Sequence, residues 1–257
     1  MSNIGYDFQG KYVLVTGGSR GIGREIALQF ASAGAHVAVH YVGNRAAAEQ
    51  TMADLVGDGH CIVQGDIGIV ADLERMVAEV VAVFGRIDIL INNAGIYEDH
   101  KIAETDFDQW QTAWQRIINV NLIGAAHLIY LCAQTMIPNG GGRVVNVSSR
   151  GAFRGEPEAP AYGASKAGMN AMGQSLAKAL GQHNVFVHTV APGFVETDMA
   201  AGILATPTGE FLRNESPLKR VAQPHEVANA VLFCASEESK FMTGCILDVN
   251  GASYLRT

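Results

Sequence analysis

Positive charge is in short supply: 18 Lys and Arg stand against 25 Asp and Glu, a formal charge of −7 over 257 residues. Nucleic-acid and anionic-membrane surfaces favour basic patches, so neither is expected as a general partner. Cysteine is scarce as well. Cys61, Cys132, Cys234 and Cys245 form no CxxC pair, and each sits in an apolar run such as "VLFCAS", so they read as small buried hydrophobes. None of the eight histidines stands in an HxxxH or HExxH arrangement, which argues against a catalytic metal. No uninterrupted apolar stretch approaches the ~18 residues of a membrane span. The opening "MSNIGYDFQGKYVLVTGG" lacks the basic, apolar, small order of a signal peptide, and the expected compartment is the cytoplasm. Linkers, repeats and low-complexity runs are missing too, so residues 1–257 read as one domain.

What is present is alternation. Short β-rich runs, "KYVLVT", "HVAVHY", "CIVQ", "IDILIN", "RVVNVS", "VFVHTVA" and "CILDV", are separated by helical patterns, two of them beginning near Gly21 and Arg45. Near-continuous apolar strands between helices imply a parallel sheet covered on both faces. The expected fold is therefore a doubly wound (Rossmann) α/β sheet of about seven strands. Residues 198–220 depart from the pattern. They carry Gly202, Pro207, Gly209 and Pro217 among Met199, Ile203, Leu204, Phe211 and Leu212, and are expected to form a substrate lid with an apolar underside.

Two stretches point to chemistry. "TGGSRGIG" follows the first strand, where a glycine-rich turn lets the backbone approach a pyrophosphate at a helix N-terminus, although Gly17, Gly21 and Gly23 do not keep the G-x-G-x-x-G spacing. "AYGASKA" puts Tyr162 and Lys166 one helical turn apart among small residues that leave room around both. Trp110 and Trp114, four apart, read as a core-facing helical stripe.

Taken with "NNAG" at 92–95, "VNLIG" at 120–124, Ser149, "YGASK" thirteen residues after that serine, and "APGFVETDM", the chain resembles the short-chain dehydrogenase/reductase family. The resemblance spans nearly the whole length and includes the ending "TGCILDVNGA". It implies Tyr162 as general acid/base, Lys166 as its activator, Ser149 as the group orienting the substrate carbonyl, and Asn121 in a proton relay. Ser148 and Asn119 are the neighbouring rivals, and the family's spacing selects Ser149 and Asn121. The resemblance also implies a dinucleotide bound by Gly17, Ser19, Arg20, Gly21, Ile22 and Gly23 in the turn, and by Tyr41 after the second strand. Asp66 and Ile67 would face the adenine end. Asn93, Ala94 and Gly95, then Pro192, Gly193, Val195 and Thr197, would complete the site with Tyr162 and Lys166.

NADP(H) is expected over NAD(H). No carboxylate occurs between His36 and Arg45, and Arg45 opens a helix where a cation opposes the dipole by roughly 0.3–1 kcal/mol, a cost that a 2′-phosphate offsets. Arg20, Asn44 and Arg45 are the candidates to face that phosphate. The leading reading is a ketone/secondary-alcohol oxidoreductase acting on a small carbonyl substrate. The alternative is a 3-oxoacyl-[acyl-carrier-protein] reductase, similar in "PGFVETDM" and the "SRGIG" turn. The family's basic docking positions fall near Gly140 and His183 here, which leaves Arg143 or Lys178 as substitutes for holding the acidic carrier protein. A non-catalytic dinucleotide sensor is the reading of another class. By resemblance to the family a homotetramer is expected.

Overall fold

The computed structural model describes residues 5–197 and 200–256, so Asp198 and Met199 of the expected lid lie outside the described residues. Seven strands form one sheet: β1 (Tyr12–Val15), β2 (His36–Tyr41), β3 (Cys61–Gln64), β4 (Ile89–Asn92), β5 (Gly142–Val147), β6 (Val185–Pro192) and β7 (Ile246–Val249). Every pairing is parallel, in the order β3-β2-β1-β4-β5-β6-β7. The chain thus builds outward from β1 to β3, then returns to the other side of β1. That reversal opens a crevice beyond the carboxyl ends of β1 and β4, where ligands of such sheets bind.

The helices follow from local chemistry. The first, α1 (Gly21–Ser32), starts on the glycine turn, and α2 (Arg45–Ala53) is capped by the Asn44 side chain, which accepts from the Ala47 N–H at 3.0 Å. Gly85, at φ +80°, ends α3 (Val70–Phe84), while Asp106 and Gln109 form a capping box at the start of α4 (Phe107–Ile118). Next come α5 (Ala125–Met136), the short α6 (Gly151–Arg154), α7 (Pro160–Leu180), α8 (Ala201–Leu204), α9 (Pro207–Glu215) and α10 (Pro224–Ala235). One face of the sheet is covered by α1 and α10 through Ile26, Phe30, Val227 and Val231, and the other by α3, α5 and α7 through Leu73, Met76, Leu128 and Ala177.

The strands fall within a residue or two of the runs that announced them, and "VNLIG" takes a less common helical form. Residues Asn119–Gly124 form a π-helical segment between α4 and α5. With the 3-10 turn Ile137–Asn139 the three make one helical run, Phe107–Asn139, long and apolar enough by length and composition to cross a membrane, a property that the uninterrupted-run criterion misses. Its buried face packs on α3, α7 and the sheet.

Candidate active site

The glycine turn is built by close approach. A Cβ on Gly23 would lie 2.2 Å from the Gly17 carbonyl oxygen and 2.5 Å from Asn93 Nδ2, so the first turn of α1 lies against β4 only without a side chain there. Gly17 and Gly21 adopt φ of +63° and +54°, which favour glycine. Asn93 fastens the turn by donating from Nδ2 to the Thr16 and Gly17 carbonyls, and Thr16 Oγ1 accepts from the Asn93 and Ala94 N–H groups. Arg20, the N-cap of α1, supplies no side-chain cap. The helix therefore presents uncapped N–H groups and its positive dipole end beside a cradle that a Cβ would fill, which fits the pyrophosphate of a dinucleotide.

On the far side of the crevice, α7 carries Tyr162 and Lys166 on one face. Lys166 is buried, donates to the Val147 carbonyl at 2.8 Å, and sits 5.8 Å from the Tyr162 ring centroid. Burial pulls its ammonium down to about 8 from an ordinary value of 10.5. Burial pushes the Tyr162 phenol up, a hydrogen bond with Ser149 pulls it back, and the Glu156 carboxylate pushes it up again. Of the two serines, Ser149 faces Tyr162 and also accepts from the Gly151 N–H, whereas Ser148 is buried with its hydroxyl on the Lys166 carbonyl.

Asn121 is fully buried in the π-helical segment. Its Oδ1 accepts from the Ile96 N–H at 2.8 Å, and its Nδ2 donates to the Ile96 carbonyl at 2.9 Å and to Ser165 Oγ at 3.2 Å. A Cβ on Gly95 would lie 3.3 Å from Asn121 Oδ1 and 3.4 Å from Lys166 Nζ, so both polar groups converge on that glycine. Asn119, the rival, instead donates to the Gly68 carbonyl at 2.8 Å. A further pin follows at Gly124, where a Cβ would stand 2.2 Å from the Ile67 carbonyl oxygen.

A cleft of about 580 Å³ connects the two walls, a volume in the range of ligand pockets. Tyr162, Lys166 and Ser149 line it, together with Gly17, Ser19, Arg20, Gly21, Ile22 and Gly23 from the turn. Tyr41, Asn44, Asp66 and Ile67 line the end nearest β2 and β3; Asn93, Ala94, Gly95, Pro192, Gly193 and Thr197 line the floor and the opposite end. Three expected residues stand off the wall. Asn121 lies beneath it, and Val195 is buried in an isolated bridge to Ala222. Arg45 projects outward, 70% exposed, and its guanidinium meets Glu49 at 2.8 Å. Arg20 makes no ion pair among the described residues.

Other expectations change in the structure. Arg143 is buried at the start of β5, remote from the crevice, and pairs with Glu237 at 2.7 Å, so it is no docking cation; Lys178, in the last turn of α7, is exposed but also far from the cleft. Trp110 and Trp114 are half-buried rather than core, and Trp114, like Ile96 and Tyr162, packs against a small cluster of Ala113, Ile117 and Ala161. Sequence reasoning missed several site residues. Tyr97 stands edge-on to Tyr162 at 5.1 Å, Arg116 closes on Glu98 at the mouth, and His40 lines the cleft from β2. Beside the site, Glu215 of α9 accepts from both Arg150 and Arg154, tying the 200–220 segment to the loop after Ser149.

Comparison with known proteins extends these observations. A family model described as "Enoyl-(Acyl carrier protein) reductase" matches residues 17–252. The chain is 36% identical over 247 residues to the 3-oxoacyl-[acyl-carrier-protein] reductase FabG of Staphylococcus aureus, covering 95% of this chain and 98% of that protein. It is 34% identical over 249 residues to the 3-oxoacyl-[acyl-carrier-protein] reductase of Synechocystis, covering 94% and 96%. A solved structure described as a short-chain dehydrogenase/reductase, glucose/ribitol dehydrogenase, from Brucella melitensis aligns with a TM-score of 0.89 at 30% identity, over 98% of this chain and 100% of that one.

Proposed function

The chain belongs to the short-chain dehydrogenase/reductase family, and on that premise we propose that it is an NADPH-dependent reductase of 3-oxoacyl thioesters carried on an acyl carrier protein. Membership makes it an oxidoreductase of C=O and CH–OH groups that uses a nicotinamide dinucleotide. The relatives named above favour the thioester reading over the broader ketone reductase with which the sequence argument leads. The observation that carries the chemistry is the convergence of Ser149, Tyr162 and Lys166 on one wall of the cleft, opposite the glycine cradle.

When bound, the nicotinamide supplies hydride to the carbonyl carbon. Tyr162 holds the proton that goes to the carbonyl oxygen, so ketone, NADPH and one proton give the secondary alcohol and NADP⁺. Ser149 holds that oxygen beside the phenol. Lys166 places an ammonium under the ring, and Asn121 fixes the Ile96 backbone at the lysine's side of the cleft. Arg20 is the cation for a 2′-phosphate; Arg45 would first have to leave Glu49. Residues 200–220 act as the lid, with Leu204 and Leu212 packed on Val221 and Phe194. We read the chain as one domain and as a homotetramer, for which exposed Tyr130 and Phe241 supply apolar surface; a monomer by light scattering would overturn that assembly.

The test is NADPH oxidation with acetoacetyl and crotonyl thioesters on acyl carrier protein and with free aryl and cyclic ketones, repeated with NADH. Acetoacetyl turnover well above the other substrates supports the proposal. Turnover of free ketones alone supports the broader reductase, which the burial of Arg143 favours. Silence with every substrate supports a dinucleotide sensor.

A further inference from the structure

His40 belongs to no motif that the sequence presents, and it is fully buried on β2 between two loops of the cofactor cleft. The Gly17 N–H donates to its Nδ1 at 2.9 Å, and its Nε2 stands 2.8 Å from the Gly65 carbonyl oxygen. The partners dictate the protonation. Gly17 offers a donor, so Nδ1 must carry no hydrogen; Gly65 offers an acceptor, so Nε2 must carry one. The imidazole is neutral in a single tautomer, and both contacts are satisfied only in that state.

We infer that His40 is a positioning residue for the dinucleotide: its neutral ring clamps the glycine turn to the end of β3, and cofactor affinity falls when the ring is protonated. The inference rests on the cofactor reading above. An imidazolium would set Nδ1–H against the Gly17 N–H, and one of them must withdraw. The turn has little room to give, because the Gly17 carbonyl already bears on Gly23 and accepts from Asn93. The charged groups acting on the ring are Asp66, in the loop after β3, and Asp72, in the first turn of α3; the turn on the other side meets it with backbone. Asp72 is engaged by the Asp66 N–H and by Arg75. Burial outweighs both carboxylates and holds the imidazole below its ordinary value, so the clamp persists at neutral pH and opens on acidification.

The experiment is the Kd of NADPH, read by fluorescence from pH 8 to pH 5, for wild type and for H40N, whose amide can accept from Gly17 and does not titrate. The phosphate of the ligand titrates equally against both proteins. Wild type should lose more affinity than H40N at the acid end of that range, by up to tenfold for each pH unit below the ring's depressed value. Parallel curves, or a wild type that binds tighter in acid, would overturn the inference. Long-range ¹H–¹⁵N spectra of wild type at pH 7 read the ring directly and do not depend on H40N folding. An unprotonated Nδ1 with a protonated Nε2 supports the clamp, and the opposite tautomer or an imidazolium refutes it. Failure of wild type to bind NADPH or NADH at any pH would instead strike the cofactor reading, while the spectra still decide the clamp.

Discussion

Replacing Lys166 with methionine should leave a protein that loses activity and whose stability relative to wild type changes with pH. The ammonium is 3% exposed, and burial lowers it from 10.5 to about 8, a shift equivalent to roughly 3 kcal/mol against the folded state wherever the lysine is charged. K166M removes that cost but leaves the Val147 carbonyl without its donor, a loss of about 1–3 kcal/mol. The two nearly cancel at pH 7, so the net change there is a poor test. The pH dependence is a sharp one. Because the folded value is depressed, the unfolded chain binds the extra proton between about 8 and 10.5, and wild-type stability rises with pH across that window. The full penalty is present below about 8 and gone above 10.5. Between pH 7.5 and pH 9.5 wild type should therefore gain about 2 kcal/mol on K166M, whatever other groups titrate in both proteins. Urea unfolding followed by circular dichroism at the two pH values measures the gap. A gap that stays constant within about 0.5 kcal/mol would refute a buried, charged lysine as the source of the cost.

Three further outcomes follow from the geometry. Y162F should lower kcat/KM by about 10²- to 10⁴-fold on any accepted ketone while the Kd of NADPH moves less than about threefold; undiminished turnover would move the acid/base elsewhere. G23A forces a methyl to within 2.2 Å of the Gly17 oxygen, so fluorescence titration should show at least about tenfold weaker NADPH binding, and unchanged affinity would mean that the turn yields freely. R20Q should weaken NADPH by about tenfold and leave NADH unaffected, whereas R45Q, with its guanidinium on Glu49, should change either by less than about twofold. Equal effects of the two variants on NADPH would give Arg45 a share in binding the phosphate.

Sequence periodicity made the strands legible, because residues buried on both sheet faces must be apolar almost without interruption. "HVAVHY" and "CIVQ" coincide with β2 and β3 as they stand. The glycine turn was legible for the same kind of reason: close approach demands the absence of side chains, and glycine is visible in a sequence. The π-helical segment was not, since its extra residue per turn is imposed by Asn121 bonding the Ile96 backbone and by Gly124 meeting Ile67, contacts with distant parts of the chain. His40 escaped because its importance lies in two backbone partners, Gly17 and Gly65, that no spacing rule connects. Arg45 and Arg143 each meet a carboxylate of this chain, Glu49 and Glu237, and sequence gives no account of which partner is closer.

The paired contacts Asn119–Gly68 and Gly124–Ile67 give the cleft a fixed ruler. The helix that seats Asn121 at one end is bolted, a turn away, to the loop carrying Asp66 and Ile67 at the other. Any redesign that pushes that loop outward to admit a bulkier base must therefore drag Asn121 with it. Attempts to swap the cofactor by loop grafting alone should thus disturb proton handling as much as recognition, and the change best tolerated is one confined to Arg20, whose side chain carries no part of the ruler.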